Sequence, residues 1–138
     1  MTEHQPATDE PTIQFETKAV PEQEDAAAAI ILAPATGAGT AKAALAKIIE
    51  LRAEEKAGFY GGYINGELIG AYGMRRDGMA NTIAIIAVRE DFRRKGIGRA
   101  LLTDALYRSA RRPLTAETDD EGLAFYKACG FKLVGRRV

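Results

Sequence analysis

The sequence predicts a single α/β domain built on a mixed, mostly antiparallel sheet. Three apolar segments separated by an Asn-Gly and an Asp-Gly turn signal predict an antiparallel meander over residues 58–88. A buried strand at 81–88, an amphipathic helix and a short strand at 114–118 then form a βαβ unit. The two strands of such a unit pair in parallel, with a right-handed crossover. A chain of 138 residues suffices for one domain with a hydrophobic core.

The N-terminal part is predicted as a leader, a strand and two helices. Residues 1–11 combine acids with prolines and are expected to be flexible, and the domain is expected to span 12–138. Pro21 ends the strand, acidic residues suit the start of the first helix, and Thr40 is a candidate N-cap for the second. These signals place a strand at 12–19, a helix at 22–32, a loop at 34–40 and a helix at 40–56.

The rest of the chain continues the pattern of strands and helices. The meander consists of strands at 58–64, 67–75 and 81–88, followed by a helix at 98–112 that Pro113 closes. Asp119 or Asp120 then caps a helix that ends at Gly130. A last strand is predicted at 131–138.

The composition excludes several classes of protein and of site. Hydrophobic residues make up 46% and charged residues 28% of the chain, as in globular domains. The apolar runs are too short to span a bilayer, and the N-terminus lacks the pattern of a secretory signal, so a cytoplasmic location and no membrane partner are expected. With Cys129, His4 and Ser109 as the single residues of their types, Ser-His-Asp and Cys-His catalysis and Cys/His metal sites are excluded.

The charges are unevenly distributed, although the net charge is zero. Residues 1–71 contain 11 acidic and 5 basic side chains, and residues 72–138 contain 8 acidic and 14 basic ones. The basic residues cluster at one place, with few aromatics among them, which favours a small polyanion over a nucleic acid as the ligand.

The segment Arg93-Arg94-Lys95-Gly96-Ile97-Gly98 lies between the buried strand and the helix that follows. Glycines at a helix start let the backbone approach a ligand, and the unpaired N–H groups and helix dipole attract anions, so a phosphate-binding turn is predicted. The alternative is that the glycines only permit a tight turn and that the basic side chains are solvated. The pattern fits neither the dinucleotide fingerprint nor the P-loop.

Three segments resemble the GCN5-related N-acetyltransferase (GNAT) family. The basic turn is similar to the family's Gln/Arg-x-x-Gly-x-Gly/Ala motif for acetyl-CoA, and residues 125–131 (FYKACGF) are similar to its Tyr-x-x-x-Gly-Phe signature. The hairpin at 65–70 resembles the one between the family's second and third strands. The resemblance covers residues 12–138 and implies helices on both faces of the sheet, with a splayed acetyl-CoA cleft at the parallel pair.

The resemblance also implies roles for individual residues. In the family, strand backbone pairs with the pantetheine arm, amides of the basic turn hold the pyrophosphate, and amides at a strand bulge stabilise the oxyanion. Tyr126 would protonate the departing thiolate, although a tyrosine on a short helix also packs under a sheet with no further role. The residues assigned to acetyl-CoA on this basis are Ile86, Ala87, Val88, Arg93, Arg94, Lys95, Gly96, Ile97, Gly98, Arg99, Asp119 and Tyr126.

The sequence departs from the family pattern in three ways. Strand 81–88 has no carboxylate to deprotonate the amine, so Glu117 is ranked first as the base; Glu90, a water relay or an amine that arrives neutral are alternatives. Asp119 and Gly122 stand where the family often has Asn and Ala. The sequence printed stops at residue 138, before the family's seventh strand, and a homodimer that covers the sheet edge is therefore expected.

Three functions compete at this point. The first is an N-acetyltransferase that moves an acetyl group from acetyl-CoA to a primary amine, with the first two helices forming the acceptor wall. The acidic balance of residues 1–71 is compatible with a cationic acceptor such as a polyamine, an aminoglycoside or a lysine side chain. The second is a non-catalytic CoA-binding or regulatory module of the same fold. The third, an unrelated nucleotide- or nucleic-acid-binding protein, is disfavoured by the neutral net charge.

Overall fold

The computed structural model describes residues 14–110, 112–118 and 120–132. The strands are β1 (Phe15–Ala19), β2 (Ala57–Ile64), β3 (Glu67–Asp77), β4 (Ala80–Val88) and β5 (Leu114–Ala116). The helices are α1 (Asp25–Leu32), α2 (Ala41–Ala53), α3 (Ile97–Arg108) and α4 (Asp120–Ala128). Short 3₁₀ turns occur at Glu22–Glu24, Ala33–Ala35 and Glu90–Phe92.

The five strands form one sheet in the order β1-β2-β3-β4-β5. The first four strands pair antiparallel and β5 pairs parallel to β4, which confirms the predicted mixed, mostly antiparallel sheet with a parallel pair. The Asn65-Gly66 turn has positive φ at both residues, 50° and 85°, as a type I′ hairpin requires. Local turn chemistry therefore sets the register of β2 against β3.

Each face of the sheet carries its own hydrophobic core. The first core joins α1 and α2 to the sheet through Ile31, Ile48 and Ile85, among others. The second joins α3 and α4 to the opposite face and includes Tyr72 and Leu101. Helices thus cover both faces, as expected. Among the described residues, no helix is both long and apolar enough to cross a bilayer.

Two helices end earlier than their sequence pattern predicts. The second helix stops at Ala53 because Glu54 is extended, with its carboxylate bonded to Arg75 of β3 at 2.8 Å. The third stops at Arg108; the Ser109 hydroxyl bonds back to a helix carbonyl, and Ala110 turns left-handed with φ of 50°. The end of α2 thus coincides with a contact to β3, whereas the end of α3 is formed by the residues that directly follow the helix. The strand predicted at 131–138 falls largely outside the described residues. The same holds for the sheet edge on which the expectation of a homodimer rests.

A buried carboxylate joins α3 to the sheet. Asp104, with 14% of its side chain exposed, accepts hydrogen bonds from the hydroxyls of Thr17 at 2.7 Å and Tyr72 at 2.6 Å, and from Arg108 Nε at 2.8 Å. Arg108 in turn lies over the Tyr60 ring, 4.1 Å from its centroid. Burial by itself raises the pKa of Asp104, but the three hydrogen bonds outweigh it, so this pKa lies below its ordinary value.

We expect Asp104→Asn to lower the free energy of unfolding by about 2–4 kcal/mol, because the Tyr72 hydroxyl and Arg108 would lose a charged acceptor inside the fold. A depressed folded pKa gives stability that is present above about pH 4 and lost as pH falls. The variant should therefore lose part of the acid dependence seen in urea unfolding. The exposed Asp77→Asn is the matched control, and equal stability of the two variants would contradict the assignment.

Candidate active site

The sheet opens between its two parallel strands. The strands pair at three positions, where Asn81, Thr82 and Ile83 of β4 face residues of β5. Past Ile83, the outer edge of β4 has no strand partner among the residues the structure describes. This stretch is therefore an exposed row of backbone donors and acceptors at the centre of the domain.

A hydrogen bond at the end of β4 fixes the direction of these backbone groups. The N–H of Arg89 donates to the carbonyl of Ile69, beside β3, at 2.7 Å. Because backbone groups alternate between the two edges of a strand, those of Ile86 and Val88 point to the opposite, open edge. The Ala87 carbonyl points back to β3, with its oxygen 3.3 Å from where a Cβ on Gly70 would lie. The open edge thus offers two N–H groups and the C=O of Ile86, while the Val88 carbonyl accepts a hydrogen bond from Arg93 Nε.

A bulge lies in β4 where the opening begins. Gly73 of β3 pairs with Ile85 and Met74 pairs with Ile83, which leaves Ala84 as an extra residue. Ala84 and Ile85 both pack against the core beneath α1 and α2. Because Ala84 and Ile85 lie on the same face, the alternation of side chains and backbone groups shifts by one residue at the bulge.

The basic turn after β4 has an unusual backbone. Arg94 adopts a left-handed φ of 64° and Gly96, the residue before α3, a φ of 82°. A left-handed conformation costs a non-glycine residue about 1 kcal/mol, and such turns aim successive N–H groups into one concavity. A Cβ on Gly96 would have no atom within 4 Å. Open space therefore lies in front of this turn, at the start of α3.

The basic side chains of this region fall into two groups. Arg89 is bound by Asp91 and by Glu67, at 2.8 and 2.9 Å, and anchors the turn to the β2–β3 hairpin. Arg93 Nε donates to the Val88 carbonyl at 2.9 Å, and Arg99 donates to the Ala128 carbonyl at the end of α4 at 2.8 Å. The second group consists of Arg94 and Lys95, whose side chains are exposed; Lys95 lies over the Phe92 ring. These two are the cations that project from the turn.

Gly98 has a different role from Gly96. A Cβ on Gly98 would lie 3.0 Å from two ring atoms of Phe125, so the close packing of α4 on α3 requires the glycine. Ile97 is partly buried against the same core. The sequence reading treated the two glycines alike as ligand-facing, and only the tertiary packing separates them. Phe125 itself stays 38% exposed beside Gly98.

Tyr126 lies in the core beneath the α3–α4 face, with 8% of its surface exposed. Its ring makes edge contacts with Phe125 and Phe131, at centroid distances of 5.2 and 5.1 Å. Burial, with a smaller effect of Cys129, raises the pKa of Tyr126 to about 12. The hydroxyl therefore holds its proton at neutral pH, as a proton or hydrogen-bond donor must.

The candidate base follows the end of β5. Leu114 and Ala116 face the α3–α4 core, so Thr115 faces the α1–α2 side, where its hydroxyl lies 2.9 Å from that of Thr82. Glu117 comes directly after Ala116 and is exposed. Asp119 lies outside the described residues, and Glu90 belongs to the exposed turn beside Arg93. Within the described ranges, no cluster of three metal-ligating side chains occurs.

Comparison with known proteins agrees with this architecture. A family model described as an acetyltransferase (GNAT) domain matches residues 55–133, more than half of the chain. The match runs from just before β2, through the open edge and basic turn, to just after α4. A search of curated proteins found no match.

Solved structures of similar fold include three acetyltransferase or regulatory proteins. An aminoglycoside N-acetyltransferase, AAC(6')-Iy in complex with CoA, aligns with a TM-score of 0.72 and 15% identity over 93% of this chain and 94% of that one. The 6'-N-acetyltransferase AAC(6')-Ih from Acinetobacter baumannii gives 0.70 and 17%, over 91% and 95%. A transcriptional regulator from Bacillus halodurans gives 0.69 and 16%, over 91% and 97%. At these identities the likeness establishes the fold.

Proposed function

The chain belongs to the GNAT acetyltransferase family, and we propose that it transfers the acetyl group of acetyl-CoA to a primary amine by direct attack in a ternary complex. In this reaction the amine nitrogen bonds to the acetyl carbon, the thioester C–S bond breaks, and the proton lost by the amine is balanced by one gained by the thiolate. The observation that carries the proposal is the open edge of β4 leading directly into the basic turn.

The residues of this region fit a long ligand with an anionic end. The open-edge groups of Ile86 and Val88 can pair with amides of an extended arm, as a neighbouring strand would. The left-handed residues Arg94 and Gly96 and the first turn of α3 supply N–H groups for a pyrophosphate, next to the exposed Lys95. These features together support acetyl-CoA better than the alternative of a solvated turn.

The open edge and Tyr126 serve the two charges that the reaction creates. Beyond the bulge, the Ile86 N–H is the first backbone donor on the open edge and can stabilise negative charge on the acetyl oxygen. In the proposed complex the Tyr126 hydroxyl serves the departing thiolate, whose ordinary pKa of about 8.5 lies well below that of the tyrosine. Complete proton transfer is therefore uphill, and the hydroxyl acts first by donating a hydrogen bond to the departing sulfur.

Glu117 is proposed as the group that receives the amine's proton. It is exposed and directly follows β5, the strand that borders the opening. A carboxylate there can accept a proton directly or through one water.

A non-catalytic CoA-binding module is the second candidate. Strand β4 carries no carboxylate, and one protein of the same fold is described as a transcriptional regulator. This module would bind acetyl-CoA without consuming it, which separates the two candidates experimentally.

The test combines binding with turnover. We expect calorimetry to detect acetyl-CoA binding in the micromolar range, and a thiol reagent to detect free CoA when primary amines are added. Glu117→Gln should lower kcat about 100-fold at saturating acetyl-CoA. Binding without amine-dependent CoA release would favour the regulatory module, and no binding would reject both candidates. An unchanged kcat in Glu117→Gln would remove Glu117 from the mechanism.

A further inference from the structure

Residues 26–41 carry no charged side chain, although charged residues make up 28% of the whole chain. This segment, called here the uncharged wall, comprises most of α1, the turn at Ala33–Ala35 and the loop that leads into α2. It contains only Ala, Ile, Leu, Pro, Thr and Gly. Asp25 and Lys42 flank it on either side.

The uncharged wall lies beside the opening in the sheet. Its buried residues Ile31 and Leu32 share a core with Ile85, against which Ala84 of the bulge packs. The turn at Ala33–Ala35 also contacts β4 directly. The wall therefore covers the open strand from the α1–α2 side, opposite the helix that carries Tyr126.

The surface that the wall presents is small and apolar. Ile30 is 67% exposed, and Pro34 and Ala35 are exposed beyond it. Where β4 and β5 still pair, the same face of the sheet carries the hydroxyls of Thr82 and Thr115. The wall thus brings no charged side chain to this side of the sheet.

Four carboxylates of the acidic half are bound away from the wall. They bridge to cations or hydroxyls that lie on β2, on β3, on α2 or next to the basic turn. These pairs are Glu24 with Tyr63 at 2.6 Å, Asp25 with Arg52 at 2.6 Å, Glu54 with Arg75 at 2.8 Å and Glu67 with Arg89 at 2.9 Å. None of these four carboxylates therefore adds negative charge to the wall.

We propose that the acceptor is a primary monoamine on an uncharged, compact or apolar body, and not a polycation such as a polyamine or an aminoglycoside. The inference rests on the proposed acetyl transfer. A second ammonium placed against the uncharged wall would lose hydration without gaining a partner, and an unpaired desolvated charge is costly. The reacting amine needs one carboxylate, and Glu117 supplies one.

Hexylamine and 1,6-diaminohexane provide a matched pair of probes, since they share a six-carbon chain and differ by one ammonium group. Measured by free CoA release at fixed pH and ionic strength, kcat/KM should be at least ten times higher for hexylamine. Kanamycin should be a poorer acceptor than hexylamine. Equal or better use of the diamine, or preference for kanamycin, would overturn the inference and leave acetyl transfer standing.

Two variants that add the same charge locate the effect. Ala35→Glu introduces a carboxylate on the wall and should shift the ratio of kcat/KM at least fivefold toward the diamine. Ala46→Glu introduces it on an exposed position of α2 outside the wall and should leave the ratio unchanged. Equal shifts in the two variants would contradict a role for the wall. Acetyl-CoA binding without release of CoA by any amine would overturn the inference together with the proposed transfer.

Discussion

Gly96→Asp is expected to weaken acetyl-CoA binding at least 100-fold, equivalent to about 2.7 kcal/mol. The added carboxylate would project into open space in front of the basic turn, where the proposal puts a pyrophosphate. The carboxylate and the pyrophosphate would repel each other. The left-handed φ of 82° also strains any residue with a side chain, whereas glycine adopts it freely. Calorimetric titration of wild type and variant measures the change directly.

Two controls separate charge from strain. Gly96→Asn keeps the shape and the left-handed conformation without the charge, and should lose less than tenfold. Gly78→Asp carries the same substitution into the β3–β4 turn, where φ is 68° and the space is also open, and should bind acetyl-CoA normally. An unchanged dissociation constant in Gly96→Asp would show that no phosphate binds at this turn.

Tyr126→Phe removes the hydroxyl oxygen and should reduce kcat about 100-fold at saturating acetyl-CoA, with little change in KM for the donor. The ring would keep its contacts with Phe125 and Phe131, so folding should be preserved. The wild-type hydroxyl, whose pKa is raised to about 12, should contribute no ionisation to the rate profile below about pH 10.

Tyr107→Phe is the matched control, because this tyrosine is 85% exposed on α3 and touches none of the proposed machinery. It should behave as wild type in both kcat and thermal stability. If Tyr126→Phe keeps full turnover while its melting temperature matches wild type, Tyr126 has a packing role alone.

Features governed by neighbouring residues were predictable from the sequence. The Asn65-Gly66 turn forms because those residues accept positive φ, and Thr40 caps α2 by accepting a hydrogen bond from the Ala43 N–H at 3.1 Å. The antiparallel meander and the parallel pair follow from turn signals, hydrophobic periodicity and the βαβ connection. The family motifs likewise occupy short continuous segments.

Side-chain partners across the sheet were not predictable in this way. Arg93, Arg94, Lys95 and Arg99 look equivalent in the sequence, yet two of them bond to carbonyls and two project from the turn. The partner of Arg99 lies 29 residues away, at the end of α4. Such choices depend on which elements meet, and a linear pattern carries no information about that.

The sequence by itself determined the fold class, the order of elements, the family and the position of the basic turn, because each depends on local propensity or on a contiguous motif. Only the tertiary structure decided where β4 separates from β5, which glycine faces open space and which packs on Phe125, and where four carboxylates of the acidic half are bound. These depend on contacts between residues far apart in the chain, whose geometry is fixed only when the two cores pack on the sheet.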